Sequence, residues 1–296
     1  MKIVNIIGGL GNQMFQYAFA TALKQEFYQE KIKINTKCFR GYPLHNGYEL
    51  PELFKLDIPE CSMKELTLVA YPWGHYRLWQ VGRRILPFRN CMVDDRDFKQ
   101  EFSFDSIASK KYFDGYWQSP KFFAKYKKAI QHTFTFSDIE DIQNLEIISF
   151  INTAKTAFIH VRRGDYMGHP VFGGICTLDY YETAIEFLKK EYNYSQFIVF
   201  SNDPDWSREN LYNVFANSTI KYVDWNRGKN SFRDMQLMSM CRAGIIANSS
   251  FSWWGAWLGE MEVVICPAKW TNILGHHDDI LPADWIRINH TLVQTP

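Results

Sequence analysis

The chain has 296 residues, enough for one large domain or two ordinary ones, and 46% of them are hydrophobic, so it can bury substantial cores. Its formal net charge of +1 gives no electrostatic reason to expect nucleic acid or an acidic membrane surface as a partner. The six cysteines are widely scattered without a C-x-x-C motif, which indicates reduced thiols and excludes a disulfide-stapled scaffold.

The N-terminal apolar run, residues 3–7, is too short for a signal peptide, and no stretch approaches the ~18 apolar residues that a membrane span needs. We therefore expect a cytoplasmic protein. Residues 3–7 are predicted to form a buried strand, followed by a glycine-rich turn and a helix. This order is typical of a Rossmann-type start that exposes helix amides to a ligand. The dinucleotide fingerprint needs a third glycine where Met14 stands, and an ordinary turn with Asn12 as N-cap is the alternative.

The middle of the chain is less regular. Residues 31–35 are a predicted second strand, whereas residues 36–118 contain short aromatic segments separated by prolines. That region either shapes a binding cleft or packs irregularly around a small core. Helices are predicted at 119–134 and 138–152, and we place a domain boundary at the start of the second, giving domains 1–137 and 138–296.

The second half alternates regularly between strands and helices. Strands are predicted at 157–161, 196–200, 219–223, 244–247 and 263–266, with helices at 178–192 and 232–241 and after residues 203 and 252. Such alternation predicts an α/β fold with a parallel sheet and crossover helices.

Three turns that follow predicted strands carry polar side chains. They are Arg162-Arg163-Gly164-Asp165, Ser201-Asn202-Asp203 and Asn248-Ser249-Ser250-Phe251-Ser252. The carboxyl ends of parallel strands lie at one sheet edge, so these turns are predicted to converge. Guanidinium groups, serine hydroxyls and helix amides all suit phosphate. The alternatives are an Arg162–Asp165 pair beside a solvated Arg163, and plain N-capping by Ser250 or Ser252.

Metal-binding patterns are weak. Asp95-Arg96-Asp97 and Asp203-Pro204-Asp205 match the D-x-D pattern that holds Mg²⁺ or Mn²⁺ on a diphosphate, and His276-His277-Asp278-Asp279 offers further ligands. D-x-D is a very common pattern, and acidic residues are favoured at a helix start in any case. We therefore predict a phosphate pocket without a metal.

Three segments then stand out for their length. They are GGLGNQMFQYA at 8–18, HVRRGDY at 160–166, and DMQLMS at 234–239 followed by NSSFSWWGAWL at 248–258. In this order they resemble the motifs of the α-1,2-fucosyltransferases of glycosyltransferase family 11, of the soluble bacterial type. The resemblance spans residue 8 to about residue 270, and residues 36–118 contribute nothing to it.

The resemblance implies a GT-B architecture, with two Rossmann-like domains facing across a cleft, an N-terminal acceptor-side domain and a C-terminal donor domain. It implies inverting transfer of L-fucose from GDP-β-L-fucose to the 2-hydroxyl of a terminal galactose, without a metal or other cofactor. Such an enzyme would serve cell-surface polysaccharide biosynthesis. It leaves open peripheral contact with a membrane bearing lipid-linked glycan, as well as the oligomeric state.

Residue roles follow from the same resemblance. Arg162 would contact the β-phosphate, which agrees with its sharing one strand face with His160 while Arg163 points away. His160 and Asp234 would contact the nucleoside, although Asp234 could instead cap its helix opposite Ser231. The remaining expected contacts to the donor are Arg163, Asn202, Ser249, Ser250 and Ser252. Asn12 would approach the diphosphate from the other domain. Asp165 is the carboxylate nearest the arginines. It would act either as the general base or only as a group that orients the arginines.

Three other functions compete. One is a related fucosyltransferase with a protein or chitin-oligosaccharide acceptor, which shares the arginine motif but not the Asn-Ser-Ser-Phe-Ser-Trp-Trp run. Another is a dinucleotide-dependent oxidoreductase built on the N-terminal glycines. The third is a noncatalytic carbohydrate-binding protein, which suits an aromatic content of 17% but leaves the phosphate pocket unexplained.

Overall fold

The computed structural model describes residues 1–98, 101–273 and 279–289, together with the backbone of residues 292–294. The chain forms two compact units, Met1–Ser137 and Asp138–Pro296. Each unit is built on a largely parallel sheet, so the predicted α/β class is confirmed.

The sheet of the first unit has four parallel strands in the order β2-β1-β4-β3. The strands are β1 (Lys2–Asn5), β2 (Ile32–Asn35), β3 (Met92–Val93) and β4 (Tyr112–Phe113). The sequence predicted β1 and β2. The strands β3 and β4 were missed because two residues are too few to show a period-2 pattern.

The α-helices in the described part of this unit are α1 (Leu10–Glu26), α2 (Leu50–Leu53), α3 (Met63–Val69), α4 (Tyr76–Ile85) and α5 (Lys127–Thr133). Helix α1 lies in the interior of this unit, because every residue from Leu10 to Leu23 except Asn12 is buried.

The helix predicted at 119–134 is wrong in its first half. Two short 3₁₀ turns, Pro120–Phe122 and Ala124–Tyr126, precede α5. Between them Phe123 has φ −153°, which no α-helix accommodates, so a continuous helix cannot form there.

The sheet of the second unit has seven strands in the order β11-β10-β9-β8-β5-β6-β7. They are β5 (Thr156–Val161), β6 (Gln196–Ser201), β7 (Thr219–Val223), β8 (Ala243–Ile245), β9 (Val263–Pro267), β10 (Ile286–Asn289) and β11 (Leu292–Gln294). Only the β10–β11 pair is antiparallel among these pairings. All five predicted strands of this half are confirmed, whereas β10 and β11 were not predicted.

The helices of this unit are α6 (Ile142–Ile151), α7 (Leu178–Tyr192), α8 (Pro204–Asn210), α9 (Phe232–Met240) and α10 (Ser250–Leu258). Helix α6 begins later than predicted, because Asp141 accepts a hydrogen bond from the amide of Asn144 and so caps it.

The strand order reverses between β5 and β8. From β5 the chain adds β6 and β7 on one side and then returns to place β8 and β9 on the other. In open α/β sheets, ligands bind outside the carboxyl ends of the strands at such a reversal. The turns that follow β5 and β8 are therefore the first place to look for a site.

The two faces of β5 differ. Ala157, Ile159 and Val161 pack into a large core that includes residues of α7. On the other face, a Cβ at Gly244 would lie 2.3 Å from the Phe158 ring, so glycine lets that ring pack against β8. The three tryptophans of α10 are buried as well, and the Trp253 indole donates to the Ile280 carbonyl at 2.8 Å. Within the described residues, no helix is long and apolar enough to cross a membrane.

Candidate functional site

Hydrogen bonds join the three polar turns of the second unit. The Arg163 amide after β5 donates to Oδ1 of Asn202 after β6 at 2.8 Å. The Tyr166 hydroxyl donates to the Asn248 carbonyl after β8 at 3.3 Å. The predicted convergence at one sheet edge is confirmed, and it occurs at the reversal of strand order.

Arg162 is the half-buried cation at the centre of this edge. Its Nη2 lies 2.9 Å from the Asp165 carboxylate, so the predicted Arg162–Asp165 pair exists. Its Nε is buried and has no hydrogen-bond partner. A buried donor without an acceptor is costly, which indicates that an acceptor belongs there.

Arg163 points to the other side and is not merely solvated. Its Nε donates to Asp203 at 3.1 Å, and its guanidinium lies 4.0 Å from the ring centre of Trp206. Asp203 also caps α8 through the Trp206 amide. Arg163 therefore locks the turns after β5 and β6 together, and the predicted contact to the donor stays a prediction.

Gly164 allows the turn after β5 to close. Its φ is +40°, and a Cβ would lie 2.5 Å from Nδ2 of Asn202. Glycine is therefore needed twice here, for the backbone conformation and for the approach of Asn202, which is itself exposed.

His160 lies in β5, two residues before Arg162, and is buried. Burial, with the neighbouring positive charge of Arg162, lowers the pKa of His160 to about 3, so the imidazole is neutral at physiological pH. Its Nδ1 is buried without a hydrogen-bond partner, and its ring centre lies 6.0 Å from that of Phe251. Two adjacent side chains thus present unpaired buried nitrogen atoms at this edge.

The start of α10 forms the other wall. Ser249 caps the helix by accepting the Phe251 amide, and Ser250 is its first residue. Ser252 is fully buried, and its hydroxyl donates to the carbonyls of Ala247 and Ser249 at 3.5 and 3.4 Å. Ser252 thus supports the turn, and its predicted contact with the donor stays a prediction.

Asn248 connects this wall to its surroundings. Its Nδ2 donates to the carbonyls of Phe172 and Trp270, and its Oδ1 accepts from the Cys176 thiol. The loop after Tyr166 is therefore tied to the turn before α10.

Asp234 lies near the N-terminus of α9, which follows β7 and so begins at the same carboxyl edge of the sheet. Its Oδ1 accepts from Asn226 at 2.8 Å, and Asn226 is in turn hydrogen-bonded to Asn144 of α6. Burial raises the pKa of Asp234 to about 7 despite the Asn226 hydrogen bond. The capping alternative fails, because the Ser231 side chain makes no cap hydrogen bond.

Asn226 and Asn144 were missed by sequence reasoning. They are 82 residues apart, and no local pattern marks either as a partner of Asp234. Only the packing of α6 beside the residues before α9 brings them together.

The carboxylates of the two D-x-D runs are engaged in other contacts. Asp95 accepts the Trp117 amide and Asp97 the Asp94 amide. Asp203 pairs with Arg163, and Asp205 with Arg208. In the described part of the chain, no group of three or more His, Cys, Asp or Glu residues is placed to hold a metal ion. The run His276-His277-Asp278 lies outside that part.

In the first unit, Asn12 lies in the first turn of α1. Gly9, not Asn12, is the N-cap, so the alternative role predicted for Asn12 is wrong. Its Oδ1 accepts from Gln118 at 2.6 Å. The neighbouring Gln13 is buried and joins the carbonyls of Gly8 and Gly47. The turns after β1 and β4 thus meet at Asn12, again where the strand order reverses.

A buried charge cluster lies beside them. The guanidinium of Arg83 contacts Asp94, and its Nε lies 3.3 Å from Asp114. Burial, with the Asp94 charge, raises the pKa of Asp95 to about 7. A Cβ at Gly115 would lie 2.3 Å from Oδ1 of Asp95, so that carboxyl lies against backbone.

Tyrosines line the same edge. The rings of Tyr42 and Tyr76 meet edge to face at 4.9 Å. Burial, together with the neighbouring Tyr116 and Tyr76, raises the pKa of Tyr42. All three are half-buried. Rings and hydroxyls of this kind suit a sugar, and they all belong to the region that the sequence left uninterpreted.

Comparison with known proteins gives a family match. The family described as Glycosyl transferase family 11 matches residues 1–289.

Three relatives illustrate the match. The Escherichia coli protein named Alpha-1,2-colitosyltransferase is 32% identical, over 97% of this chain and 98% of that protein. The O-antigen biosynthesis glycosyltransferase WbnK of Escherichia coli is 30% identical, over 95% of this chain and 98% of that protein. The bovine Galactoside alpha-(1,2)-fucosyltransferase 2 is 26% identical, over 89% of this chain and 70% of that protein.

Proposed function

The chain belongs to glycosyl transferase family 11 and is a fucosyltransferase-like glycosyltransferase, and from that premise we propose that it transfers L-fucose from GDP-β-L-fucose to the 2-hydroxyl of a terminal galactose. Family membership sets aside the oxidoreductase and the noncatalytic binding protein. The observation that carries the proposal is the pair of buried, unpaired nitrogen atoms on His160 and Arg162 at the strand reversal.

The donor diphosphate is proposed to lie between Arg162 and the start of α10. Nε of Arg162 lacks an acceptor, and a phosphate oxygen would supply one. The Ser250 amide at the helix start adds a donor, and the α10 dipole adds partial positive charge. The nucleoside is proposed to extend toward His160 and Asp234. A neutral imidazole and a carboxylate suit a base and ribose.

The reaction is a displacement with inversion. The galactose 2-oxygen forms a bond to the anomeric carbon as the bond from that carbon to the β-phosphate oxygen breaks. The electron pair of the broken bond stays on GDP, and the hydroxyl proton goes to a base or to water. Arg162 stabilises the charge that develops on the β-phosphate. Losing such a donor typically costs a factor of about 10²–10³ in rate.

Two carboxylates are candidates to accept the hydroxyl proton in place of water. Asp165 is paired with Arg162, which favours an orienting role. Asp95, in the first unit, has a pKa raised to about 7, as a general base requires, but its carboxylate accepts the Trp117 amide.

The first unit is proposed to bind the acceptor. Tyr42, Tyr76 and Tyr116 offer rings for the apolar face of galactose and hydroxyls for its polar groups. As predicted from the sequence, Asn12 is proposed to contact the diphosphate.

A second candidate donor sugar is colitose. It is favoured by the 32% identity over 97% of this chain to the protein named Alpha-1,2-colitosyltransferase. We propose a galactoside acceptor with either donor, so donor choice is tested separately by comparing the GDP derivatives of the two sugars.

The deciding experiment measures GDP release from GDP-fucose with EDTA present, against a panel of galactosides. We expect acceptor-dependent release that withstands EDTA and falls at least about a hundredfold in Arg162→Ala. Arg208→Ala is the control, because Arg208 is an exposed cation paired with Asp205 and Asp224. Loss of activity with EDTA would contradict the metal-free mechanism, and release unaffected by any galactoside would contradict the acceptor class.

A further inference from the structure

Helix α4 has an apolar face turned to solvent. Leu78, Val81 and Ile85 follow the spacing i, i+3, i+7 and therefore share one side of the helix. Their exposed fractions are 60%, 53% and 72%. Single exposed apolar residues are ordinary, but a row of three along one helix is not.

The opposite side of α4 accounts for its packing. Trp79 is buried and donates from its indole to Asp114 at 3.1 Å, while Arg83 contacts Asp94 and Asp114. These contacts fix the orientation of the helix. The exposed row is thus the side that the core does not use.

The apolar row continues beyond the helix. Leu86 follows directly and is 40% exposed, and Leu68 of α3 is 69% exposed. Arg89 donates to the carbonyl of Thr67, the residue before Leu68, at 3.4 Å. The segment after α4 therefore contacts the end of α3. We call the exposed apolar residues of the two segments the α4 surface (Leu68, Leu78, Val81, Ile85 and Leu86).

Along residues 76–89, which carry all of the α4 surface except Leu68, every charged side chain is positive. Residues 76–89 contain four arginines and no acidic residue. Arg83 is used by the buried aspartates, but Arg77, Arg84 and Arg89 are exposed. The net charge of +1 for the whole chain hides this local excess.

We propose that the α4 surface docks this protein on an anionic lipid bilayer. An exposed apolar helix face flanked by arginines is the arrangement that lies in the headgroup region, with aliphatic side chains inserted and guanidinium groups at the phosphates. The proposal goes beyond glycosyl transfer and does not depend on the donor or the acceptor.

A second copy of the chain fits the surface less well. A twofold contact would bring the arginines of two identical surfaces together, and no acidic residue of this segment would offset them. The exposed row is also aliphatic, whereas protein interfaces are enriched in aromatic residues.

The test measures co-sedimentation of the full chain with phosphatidylcholine vesicles, with and without about one third phosphatidylglycerol. We expect binding to the anionic vesicles that weakens as salt rises. Arg77→Gln combined with Arg84→Gln should lower the partition coefficient by about tenfold or more. Val81→Ser combined with Ile85→Ser should lower it similarly, at high salt as well.

Matched controls change the same chemistry elsewhere. Lys31→Gln with Lys128→Gln also removes two exposed positive charges. Ile142→Ser with Leu145→Ser removes two exposed apolar side chains of α6, which are flanked by Asp141 and Glu146. Both pairs should leave vesicle binding unchanged, and all variants should keep the wild-type melting temperature and activity on a soluble galactoside.

Three results would overturn the proposal. The first is failure of the wild type to bind anionic vesicles, and the second is binding by the α4 variants equal to that of the wild type. The third is a dimer in sedimentation that the α4 substitutions dissociate, which would assign the surface to a second copy. None of these results bears on GDP release, so this proposal and the proposed function fail separately.

Discussion

At the scale of single residues, the candidate donor site is defined by groups that burial leaves unsatisfied. His160 and Arg162 present buried nitrogen atoms without partners, and Asp234 is a carboxyl group held by one amide. Desolvation disfavours the charged forms of His160 and Asp234, and it leaves the Nε donor of Arg162 without an acceptor. These are costs that a bound nucleotide would offset, and they make the residues testable by titration.

His160 should make stability depend on pH. Its pKa is 6.5 when unfolded and about 3 when folded, so between these values only the unfolded chain binds the proton. Stability is therefore full above pH 6.5 and falls toward pH 3, by about 1.4 kcal/mol per pH unit for this group. Denaturant unfolding from pH 7 to pH 5 should show a shallower loss in His160→Gln than in the wild type. Parallel loss in both proteins would contradict the buried neutral imidazole.

Asp234 should make donor affinity depend on pH. With a pKa of about 7, its carboxyl group is protonated below neutral pH and then accepts hydrogen bonds less well. The dissociation constant for GDP should rise as pH falls below 7, by up to about tenfold per unit. Asp234→Asn should weaken binding and abolish that dependence. Asp224→Asn should keep the dependence and move it to lower pH, because the Asp224 charge is one of the causes that raise the pKa of Asp234. Calorimetric titration checks this, and a persisting pH dependence in Asp234→Asn would assign it elsewhere.

At the scale of elements, the turns after the strands matter more than the strands. The backbone amide of Arg163 and the side chain of Asn202 join two turns across β5 and β6, and they can do so only because Gly164 has no Cβ. The helices then contribute their N-termini: α10 through Ser249 and Ser250, and α9 through Asp234. The regular strands and helices thus place residues of the turns and of the helix N-termini at one edge of the sheet.

Gly164→Ala should impair donor binding through Asn202. Its φ of +40° costs any alanine strain of about 1–2 kcal/mol, and the new Cβ also displaces Asn202. Gly168→Ala provides the matched control, because Gly168 has φ +70° but nothing within 4 Å of a Cβ. We expect KM for the donor to rise about tenfold in Gly164→Ala and to change little in Gly168→Ala. Equal effects would mean that backbone strain alone is responsible.

At the scale of the whole molecule, the chain places different chemistry on its two units. The unit Asp138–Pro296 gathers Arg162, His160 and the start of α10. The unit Met1–Ser137 gathers tyrosines and a buried charge cluster. If the second unit binds the donor and the first binds the acceptor, nucleotide alone should protect amides mainly in the unit Asp138–Pro296.

Hydrogen exchange with saturating GDP tests that division. We expect protection of the amides at 162–166, 201–203 and 248–252, because bound phosphate uses amides and holds the turns in place. Residues 40–49 and 114–118 of the first unit should respond to a galactoside instead. ADP, which carries adenine in place of guanine, is the control for recognition of the nucleobase. Protection by GDP centred on residues 40–49 would contradict the assignment.

The sequence by itself determined the features that are local. Strand periods, glycine turns and polar residues after strands depend on neighbours in the chain, so β5 to β9, the three turns and the Arg162–Asp165 pair were all predicted. The family followed from motifs that are themselves continuous segments.

Only the tertiary structure decided what depends on distant residues. The Asn144–Asn226–Asp234 network, the two-residue strands β3 and β4, and the cluster around Arg83 each join parts of the chain that share no local pattern. Helix α4 is the clearest case. It has apolar residues on both sides, Trp79 on one and Val81 on the other, so its sequence does not show which side is buried. The partners of Arg83 and Trp79 settle it, because burial of a charge requires paired groups that only the folded sheet supplies.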